Sequence, residues 1–235
     1  MQGIALAVIL IGYWAAFAWY PLPESGGGPF SGFEAHWNKN TNAAWAFDTW
    51  FLNLFPREQP FTGNGGGYCT LSFIPTLGTM ILGLLAGGWL RSEKTVEKKL
   101  SLLLAAGGIC LAAGWLLDFA GVSPNVKKIW TPSWVLFSGG WAFLFLALFY
   151  LVMDVWRLRG WAFVLKVVGM NSIAAYLIAH LFDGFIAKAL PRHLGPQAFR
   201  FAGKEYEPLI HGIAVLLVEW LLLWWMYRRK LFLRV

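Results

Sequence analysis

Long uncharged apolar segments constrain this chain more than any other feature of its sequence. Residues 2–23, 68–90, 100–117 and 131–153 contain no Asp, Glu, Lys or Arg. Each segment is long enough to cross the ~30 Å hydrocarbon core of a bilayer as a helix. Backbone polar groups must be paired internally in lipid, and an α-helix pairs them within one segment. The segments also lack the apolar and polar alternation of a membrane β-strand, so the sequence predicts an all-α integral membrane protein.

The composition supports the same prediction. Hydrophobic residues make up 58% of the chain and charged residues 13%, whereas soluble domains carry roughly 25% charged residues. This is too little charge to cover a surface that faces water. The net charge of +7 does not indicate nucleic-acid binding, because Lys and Arg beside apolar segments follow the positive-inside bias. We therefore expect the lipid bilayer, and no nucleic acid, as a partner.

The pattern of apolar segments predicts one transmembrane domain over residues 1–235, a polytopic bundle of about six helices. The predicted spans are residues 2–20, 72–90, 100–118, 132–153, 163–187 and 209–227. A long extracytoplasmic loop, residues 21–71, follows the first span. The basic residues at 91–99 and 228–230 favour a cytoplasmic location for both termini in a cell (inner) membrane. The first segment lacks the charged start and cleavage site of a signal peptide, so we expect it to be retained as a span.

The outer loop is predicted to contain a helix between two irregular segments. Glycine-rich sequence at residues 25–29 and 63–67 favours irregular backbone. Between them, residues 42–55 place aromatic side chains at helical spacing, which predicts a short helix at the membrane interface. His36 and Asp48 in this loop are either ligands of a polar substrate or solvated groups.

Three smaller signals predict local structure. Thr131 before Pro132 is typical of a helix N-terminus, with a hydroxyl at the N-cap and proline at the first helical position. Gly83 and Gly87 form a G-x-x-x-G pattern, which favours close packing of another helix. The two cysteines lack the spacing of a metal site, so we expect buried thiols and no metal.

Polar residues in the last two predicted spans form the candidate pocket. Ionisable groups inside a membrane are costly, and each is a hypothesis about function. On a continuous fifth helix, Ser172, Tyr176, His180 and Asp183 would share one face, while Asn171 would project to a different side. The candidate pocket therefore comprises Asn171, Ser172, Tyr176, His180, Asp183 and Glu219.

Several interpretations of these groups remain open. His180, one turn from Asp183, is a proton-transfer group oriented by the carboxylate, half of a polar pair that joins two helices, or half of a pair at the outer membrane surface near the end of the span. Glu219, near the middle of the sixth span, is protonated, structurally paired with a group on another helix, or functional and facing a hydrated pocket. His211 is a further ionisable group in that span. The residues by themselves assign no catalytic group.

Three segments resemble a known membrane family when taken in order. They are residues 70–87 (TLSFIPTLGTMILGLLAG), 129–140 (IWTPSWVLFSGG) and 168–177 (VGMNSIAAYL). Together they resemble the C-terminal half of the heparan-α-glucosaminide N-acetyltransferase-like family of transmembrane acyltransferases. The loop at residues 33–40 (FEAHWNKN) is similar to bacterial members in particular.

The resemblance implies a transmembrane acyltransferase that uses acetyl-CoA as its acyl donor. Such an enzyme passes acetyl from the cytosol to an amino sugar or glycan on the far side of the membrane. The family's catalytic histidine lies in an early extracytoplasmic loop, and no position of this chain matches it. The resemblance thus implies a catalytically incomplete chain, whose N-terminal half is missing or is supplied by a separate polypeptide, or a chain that works as a homo-oligomer. The alternative function is a non-catalytic membrane component or a small-solute transporter.

Overall fold

A computed structural model describes residues 1–22, 27–195 and 197–233, and over these residues the chain is all-helical without β-strands. Residues 23–26, which include part of the first glycine-rich segment, lie outside the described residues. The α-helices are α1 (Gln2–Ala18), α2 (Ala43–Leu52), α3 (Phe73–Arg91), α4 (Val96–Phe119), α5 (Pro132–Tyr150), α6 (Phe163–Gly169), α7 (Ser172–Leu181), α8 (Asp183–Leu194) and α9 (Glu207–Arg228). A 3₁₀ turn, Thr70–Ser72, leads into α3, and a π-helical turn, Leu151–Val155, continues α5.

The chain divides into two compact units. Unit 1 is Met1–Arg157 and contains α1 to α5. Unit 2 is Leu158–Val235 and contains α6 to α9 among its described residues. Each unit has its own buried apolar core, so each is described by itself.

Four of the helical segments are long and apolar enough to cross a membrane. They are Thr70–Arg91, Val96–Phe119, Pro132–Val155 and Lys204–Arg228. A fifth candidate is the pair Gly160–Gly169 and Ser172–Leu181, which is bent by 70°. The α1 helix has 17 residues, about the lower limit for a spanning helix. The structure thus supports a helical membrane protein with four to five apolar spans.

Glycine residues on α4 and α5 let the two helices pack closely in unit 1. A Cβ atom on Gly114 would lie 2.6 Å from the backbone nitrogen of Phe137, and one on Gly140 would lie 2.8 Å from that of Leu111. Neither position has room for a side chain unless the backbone moves. Small residues at helix interfaces are a general means of association in lipid, where helix burial gains little from the hydrophobic effect.

The start of α5 confirms one local prediction and alters its chemistry. Thr131 is the N-cap residue and Pro132 occupies the first turn. The threonine hydroxyl does not cap the helix, however. It donates to the carbonyl oxygen of Pro124 at 2.8 Å and accepts from the amide of Val126 at 3.1 Å. Thr131 therefore fixes the loop before α5.

The outer loop is folded against α1 over its described residues. The predicted helix is present as α2, and the side chain of Asn42 accepts a hydrogen bond from the amide of Trp45 at its N-terminus. Trp37 is 1% exposed and stacks on Phe17 of α1, with ring centres 6.2 Å apart. The loop therefore contributes to the core of unit 1.

Unit 2 contains a helix break where the sequence predicted one continuous helix over residues 163–187. The bend occurs at Met170 and Asn171, between α6 and α7. Asn171 is fully buried, donates to the carbonyl oxygen of Leu231 at 2.8 Å and accepts from the amide of Leu233 at 3.1 Å. The segment after α9 thus supplies the hydrogen-bond partners that stabilise the break. The sequence around Asn171 does not predict the break, because these partners lie about 60 residues away.

Candidate functional site

A partly polar cavity of about 530 Å³ lies between α8 and α9 in unit 2. Asp183 at the start of α8 and His211 near the start of α9 supply its ionisable groups. Its walls are mainly apolar and include Leu209, Ile213 and Leu216. A few polar groups converging in an apolar cavity are typical of a binding site. We therefore take this cavity as one of two candidate functional sites, the other being a cavity in unit 1.

The contacts of His211 fix the orientation of its ring. Its Nε2 atom lies 2.9 Å from the carbonyl oxygen of Ala187 on α8. A carbonyl oxygen only accepts, so Nε2 carries a hydrogen and donates it. The Nδ1 atom is then the nitrogen that can gain or lose a proton. The ring also packs edge-on to Phe199, with ring centres 5.0 Å apart.

Glu219 lies one helical turn beyond the cavity on the buried side of α9. The residues buried along this helix are Val215, Glu219 and Leu223, at intervals of one turn. Glu219 is 8% exposed, and its Oε1 atom has no hydrogen-bond partner among the described residues. Asp183 begins α8, the helix that packs against α9. Glu219 and Asp183 therefore lie on two neighbouring helices.

The predicted polar face of the fifth span is formed only in part. Ser172, Tyr176 and His180 follow one another at four-residue spacing on α7 and are all exposed. The face does not continue to Asp183, because α7 ends at Leu181 and α8 begins at Asp183, after the break at Phe182. Tyr176 and His180 thus lie on a different helix from Asp183. The assumption of a uniform rotation per residue is wrong at this break and at the bend before α7.

The other predicted pocket residues have local or structural contacts. The ring of His180 stacks on Tyr176 at 3.9 Å, and its Nδ1 atom lies 2.9 Å from the Tyr176 carbonyl oxygen. Both side chains are exposed, as is Ser172 at the start of α7. The recorded hydrogen bond of His180 is thus with its own helix and not with Asp183. Asn171 supports the helix break and is buried away from any solvent.

An apolar cavity of about 380 Å³ lies between α3 and α5 in unit 1. Gly83 and Gly87 line it, and nothing lies within 4 Å of a Cβ atom built on either residue. The G-x-x-x-G pattern therefore opens a cavity within this chain and does not seat one of its own helices. Thr79 is another lining residue, and its hydroxyl accepts a hydrogen bond from the indole Nε1 of Trp130 at 3.1 Å.

The apolar cavity ends beside a basic segment. Leu90 is one of its lining residues, and the ammonium group of Lys99 donates to the Leu90 carbonyl oxygen at 2.9 Å. Residues 91–99 carry four basic residues, Arg91, Lys94, Lys98 and Lys99, and two acidic ones, Glu93 and Glu97, and are basic on balance. An apolar cavity thus adjoins a cationic segment that is suited to an anionic group.

The ionisable groups of the outer loop make structural contacts. Asp48 is 3% exposed and accepts from the backbone amide of Thr70, with its two oxygens at 2.9 and 3.2 Å. This amide opens the helical segment that includes α3, so the carboxylate lies at a positive helix end. Burial, with a smaller contribution from the charge of Asp48, raises the pKa of the Cys69 thiol to about 12. The ring Nδ1 of His36 pairs with the Phe33 carbonyl oxygen at 2.7 Å.

Asparagine side chains shape the outer loop, and sequence analysis did not single them out. Asn38 pairs with both backbone polar groups of Phe30, and Asn42 donates to the Asn38 carbonyl oxygen at 2.8 Å. Asn40 likewise accepts from the amide of Asn64 at 3.2 Å. Alternating asparagines were the available signal, because their short amides often bond to nearby backbone.

Comparison with models of known protein families gives no match, and comparison with curated proteins gives none either. Function is therefore inferred from the residues of this chain and their geometry.

Proposed function

We propose that the chain is a multi-pass inner-membrane protein of the heparan-α-glucosaminide N-acetyltransferase-like type and binds acetyl-CoA as the acyl donor for an extracytoplasmic amino sugar or glycan. In this proposal α1 and the bent pair α6 and α7 complete six spans, with residues 21–71 outside and both termini in the cytoplasm. The proposal begins with the resemblance of three sequence segments, and the contacts in unit 1 support it.

The proposal rests on the contact between two of the three segments that resemble the family. Residues 70–87 and 129–140 are joined by the hydrogen bond from Trp130 to Thr79. Leu82 of the first segment lies against Gly139 of the second, where a Cβ atom would be 2.5 Å from the leucine side chain. Both segments line the apolar cavity of unit 1.

The chemistry of this region fits an acyl thioester that carries phosphate groups. The apolar cavity suits the acyl end and the chain that bears it, and residues 91–99 offer cations for the phosphates. Lys99 at Leu90 marks the point where the two environments meet. The positive-inside bias puts this end of the cavity in the cytosol, where acetyl-CoA is found.

Filling the apolar cavity tests donor binding. The parent chain, Gly83→Leu and Gly87→Leu would be placed in nanodiscs and titrated with CoA by calorimetry. We expect each substitution to weaken binding about tenfold or more, equivalent to ~1.4 kcal/mol. Gly108→Leu on α4 is the matched control, because nothing lies within 4 Å of its Cβ position either. Equal affinities in all four proteins would contradict the proposed donor site.

Charge removal tests the other end of the same ligand. Lys94 and Lys98 are exposed in the basic segment. The Lys94→Gln and Lys98→Gln variants should bind CoA more weakly than the parent chain, and their binding should depend less on salt. Binding that ignores both substitutions would place the phosphates elsewhere.

Turnover is a separate measurement from binding. Labelled acetyl-CoA and glucosamine would be supplied to proteoliposomes that contain the chain. We expect no acetyl transfer by this chain alone, because no residue matches the family's catalytic histidine. Clear turnover would locate the catalytic group within these residues.

The second candidate function is a small-solute transporter, and the cavity of unit 2 favours it. Asp183 and His211 give that cavity the ionisable groups of a proton-coupled path. Uptake of a labelled amino sugar driven by a pH gradient, and lost in Asp183→Asn, would support transport. Uptake without any dependence on Asp183, or no uptake, would leave a non-catalytic membrane component as the alternative to acyl transfer.

A further inference from the structure

We propose that Glu219 is a proton-binding site inside unit 2 and exchanges its proton with water through the cavity lined by Asp183 and His211. The proposal uses unit 2 alone. It is therefore independent of the acyl-donor site proposed for unit 1, and either can fail without the other.

The position of Glu219 favours a bound proton. It lies within Lys204–Arg228, whose most apolar window of 18 residues has a mean hydropathy of 1.9. Glu219 is 8% exposed and lies between Val215 and Leu223 on the buried side of α9. A carboxylate in such surroundings needs a cation or several donors, and a protonated carboxyl does not.

The Oε1 atom of Glu219 has neither kind of partner. It forms no hydrogen bond to any described residue and is itself shielded from solvent. A bound proton turns one of the two carboxyl oxygens into a donor and removes the charge. The unpartnered oxygen is therefore the atom at which we place the proton.

Among the described residues, no cation of the neighbouring helices is hydrogen-bonded to the Oε1 atom of Glu219. Helix α8 carries Asp183 at its start and Lys188, Arg192 and His193 in its later turns. Helix α7 carries His180, which is exposed and bonded to Tyr176. Helix α6 carries Lys166, whose ammonium lies 5.8 Å from the ring centre of Tyr227, about two turns further along α9. A buried carboxyl group without an ion-pair partner is accommodated best in its neutral form.

His211 and Asp183 supply the route to water. Both residues line the cavity of about 530 Å³. His211 lies on the same helix as Glu219, about two turns before it. The bond from Nε2 to Ala187 leaves Nδ1 as the exchanging atom. Eight residues of helix separate His211 from Glu219 by about 12 Å, so the proton passes between them by way of cavity water and Asp183. Each donor gives up one proton as the next acceptor gains one. The protonated imidazole becomes neutral and the Glu219 carboxylate becomes an acid, so that charge and protons balance.

Infrared spectroscopy of the chain in nanodiscs can detect this proton directly. A protonated carboxyl has a C=O stretching band at higher frequency than a carboxylate, and deuterium exchange moves that band. We expect such a band at neutral pH in the parent chain and its loss in Glu219→Gln. Glu207→Gln is the control, since Glu207 pairs with Arg200 at 2.7 Å and is in the same helix. No band in the parent chain, or a band that survives Glu219→Gln, would overturn the proposal.

Two more variants separate proton binding from the exchange route. Asp183→Asn removes the carboxylate that relays the proton in the cavity, so deuterium should reach Glu219 more slowly than in the parent chain. His211→Phe keeps a ring against Phe199 but has no exchanging nitrogen, so deuterium should reach Glu219 more slowly here too. Exchange rates unchanged in both variants would exclude the cavity as the route.

Discussion

The two units differ in what their buried carboxyl groups contact. Asp48 in unit 1 is 3% exposed, and both of its oxygens accept from the amide of Thr70 at the start of a helix. Glu219 in unit 2 is 8% exposed and has an oxygen without a hydrogen-bond partner among the described residues. The first carboxylate completes a helix end and is structural. The second remains available to bind a proton, so burial alone does not tell a structural acid from a functional one.

The two units also differ in the lengths of their consecutive helices. The α3, α4 and α5 helices of unit 1 have 19, 24 and 19 residues. The α6, α7 and α8 helices of unit 2 have 7, 10 and 12 residues. In unit 1 the α4 and α5 helices are in close backbone contact at their glycines, whereas in unit 2 the bend between α6 and α7 is held by the hydrogen bonds of Asn171. Substitutions in the two units should therefore have different effects on stability.

The largest loss of stability is expected at the interface of α4 and α5. In Gly114→Leu the new side chain would meet the backbone of Phe137 and Ser133, so the two helices must separate, at a cost of about 3 kcal/mol. Gly108→Leu on the same helix meets nothing within 4 Å and should unfold like the parent chain. Unfolding in mixed detergent micelles, followed by circular dichroism, would measure both. Equal stability of the two variants would show that this interface is not tightly packed.

The next largest effect is expected at Asp48. Asp48→Ala removes the charged acceptor that the amide of Thr70 donates to, which costs about 2 kcal/mol. Asp48→Asn retains one acceptor oxygen and should lose less. The same micelle unfolding experiment would rank the three chains. An alanine variant as stable as the parent chain would contradict a structural role and weaken the contrast with Glu219.

Cys69 gives unit 1 a dependence on alkaline pH. Its pKa is raised from 9.0 to about 12 by burial first and by Asp48 second. Above pH 9 the unfolded chain loses the thiol proton while the folded chain retains it, so rising pH favours unfolding until about pH 12. The contribution is complete below pH 9 and falls by at most about 1.4 kcal/mol per pH unit between these values. Cys69→Ala should show a smaller loss of stability than the parent chain over this window, and identical pH profiles would refute the assignment.

The sequence predicts the long helices well because their signal is local. The segments predicted at 72–90, 100–118, 132–153 and 209–227 each contain one continuous helix, as length and apolar character alone require. The segment at 163–187 fails for a physical reason. Its break depends on hydrogen bonds from Asn171 to residues some 60 positions away, and no proline marks it.

The candidate site was predicted only in part for the same reason. The cost of an ionisable group in an apolar segment identified Asp183, His211 and Glu219 individually. Helical spacing then assigned His180 as the neighbour of Asp183, whereas the structure places Asp183 on α8, the helix that packs against α9. Proximity between separate helices depends on packing, and spacing within one segment does not contain that information.

The smallest effect on stability is expected at Glu219. A protonated carboxyl and a neutral amide have similar shape and no charge, so Glu219→Gln should change the free energy of unfolding by no more than about 0.5 kcal/mol at neutral pH. Unfolding of the two chains in mixed micelles at pH 7 would measure the difference, with Asp48→Asn as the comparison in unit 1. Should Glu219 instead be charged and paired, its replacement would cost several times more, because a buried partner would lose its counter-charge. A loss as large as that of Asp48→Ala would therefore remove the distinction between a structural carboxylate in unit 1 and a proton-binding carboxyl in unit 2.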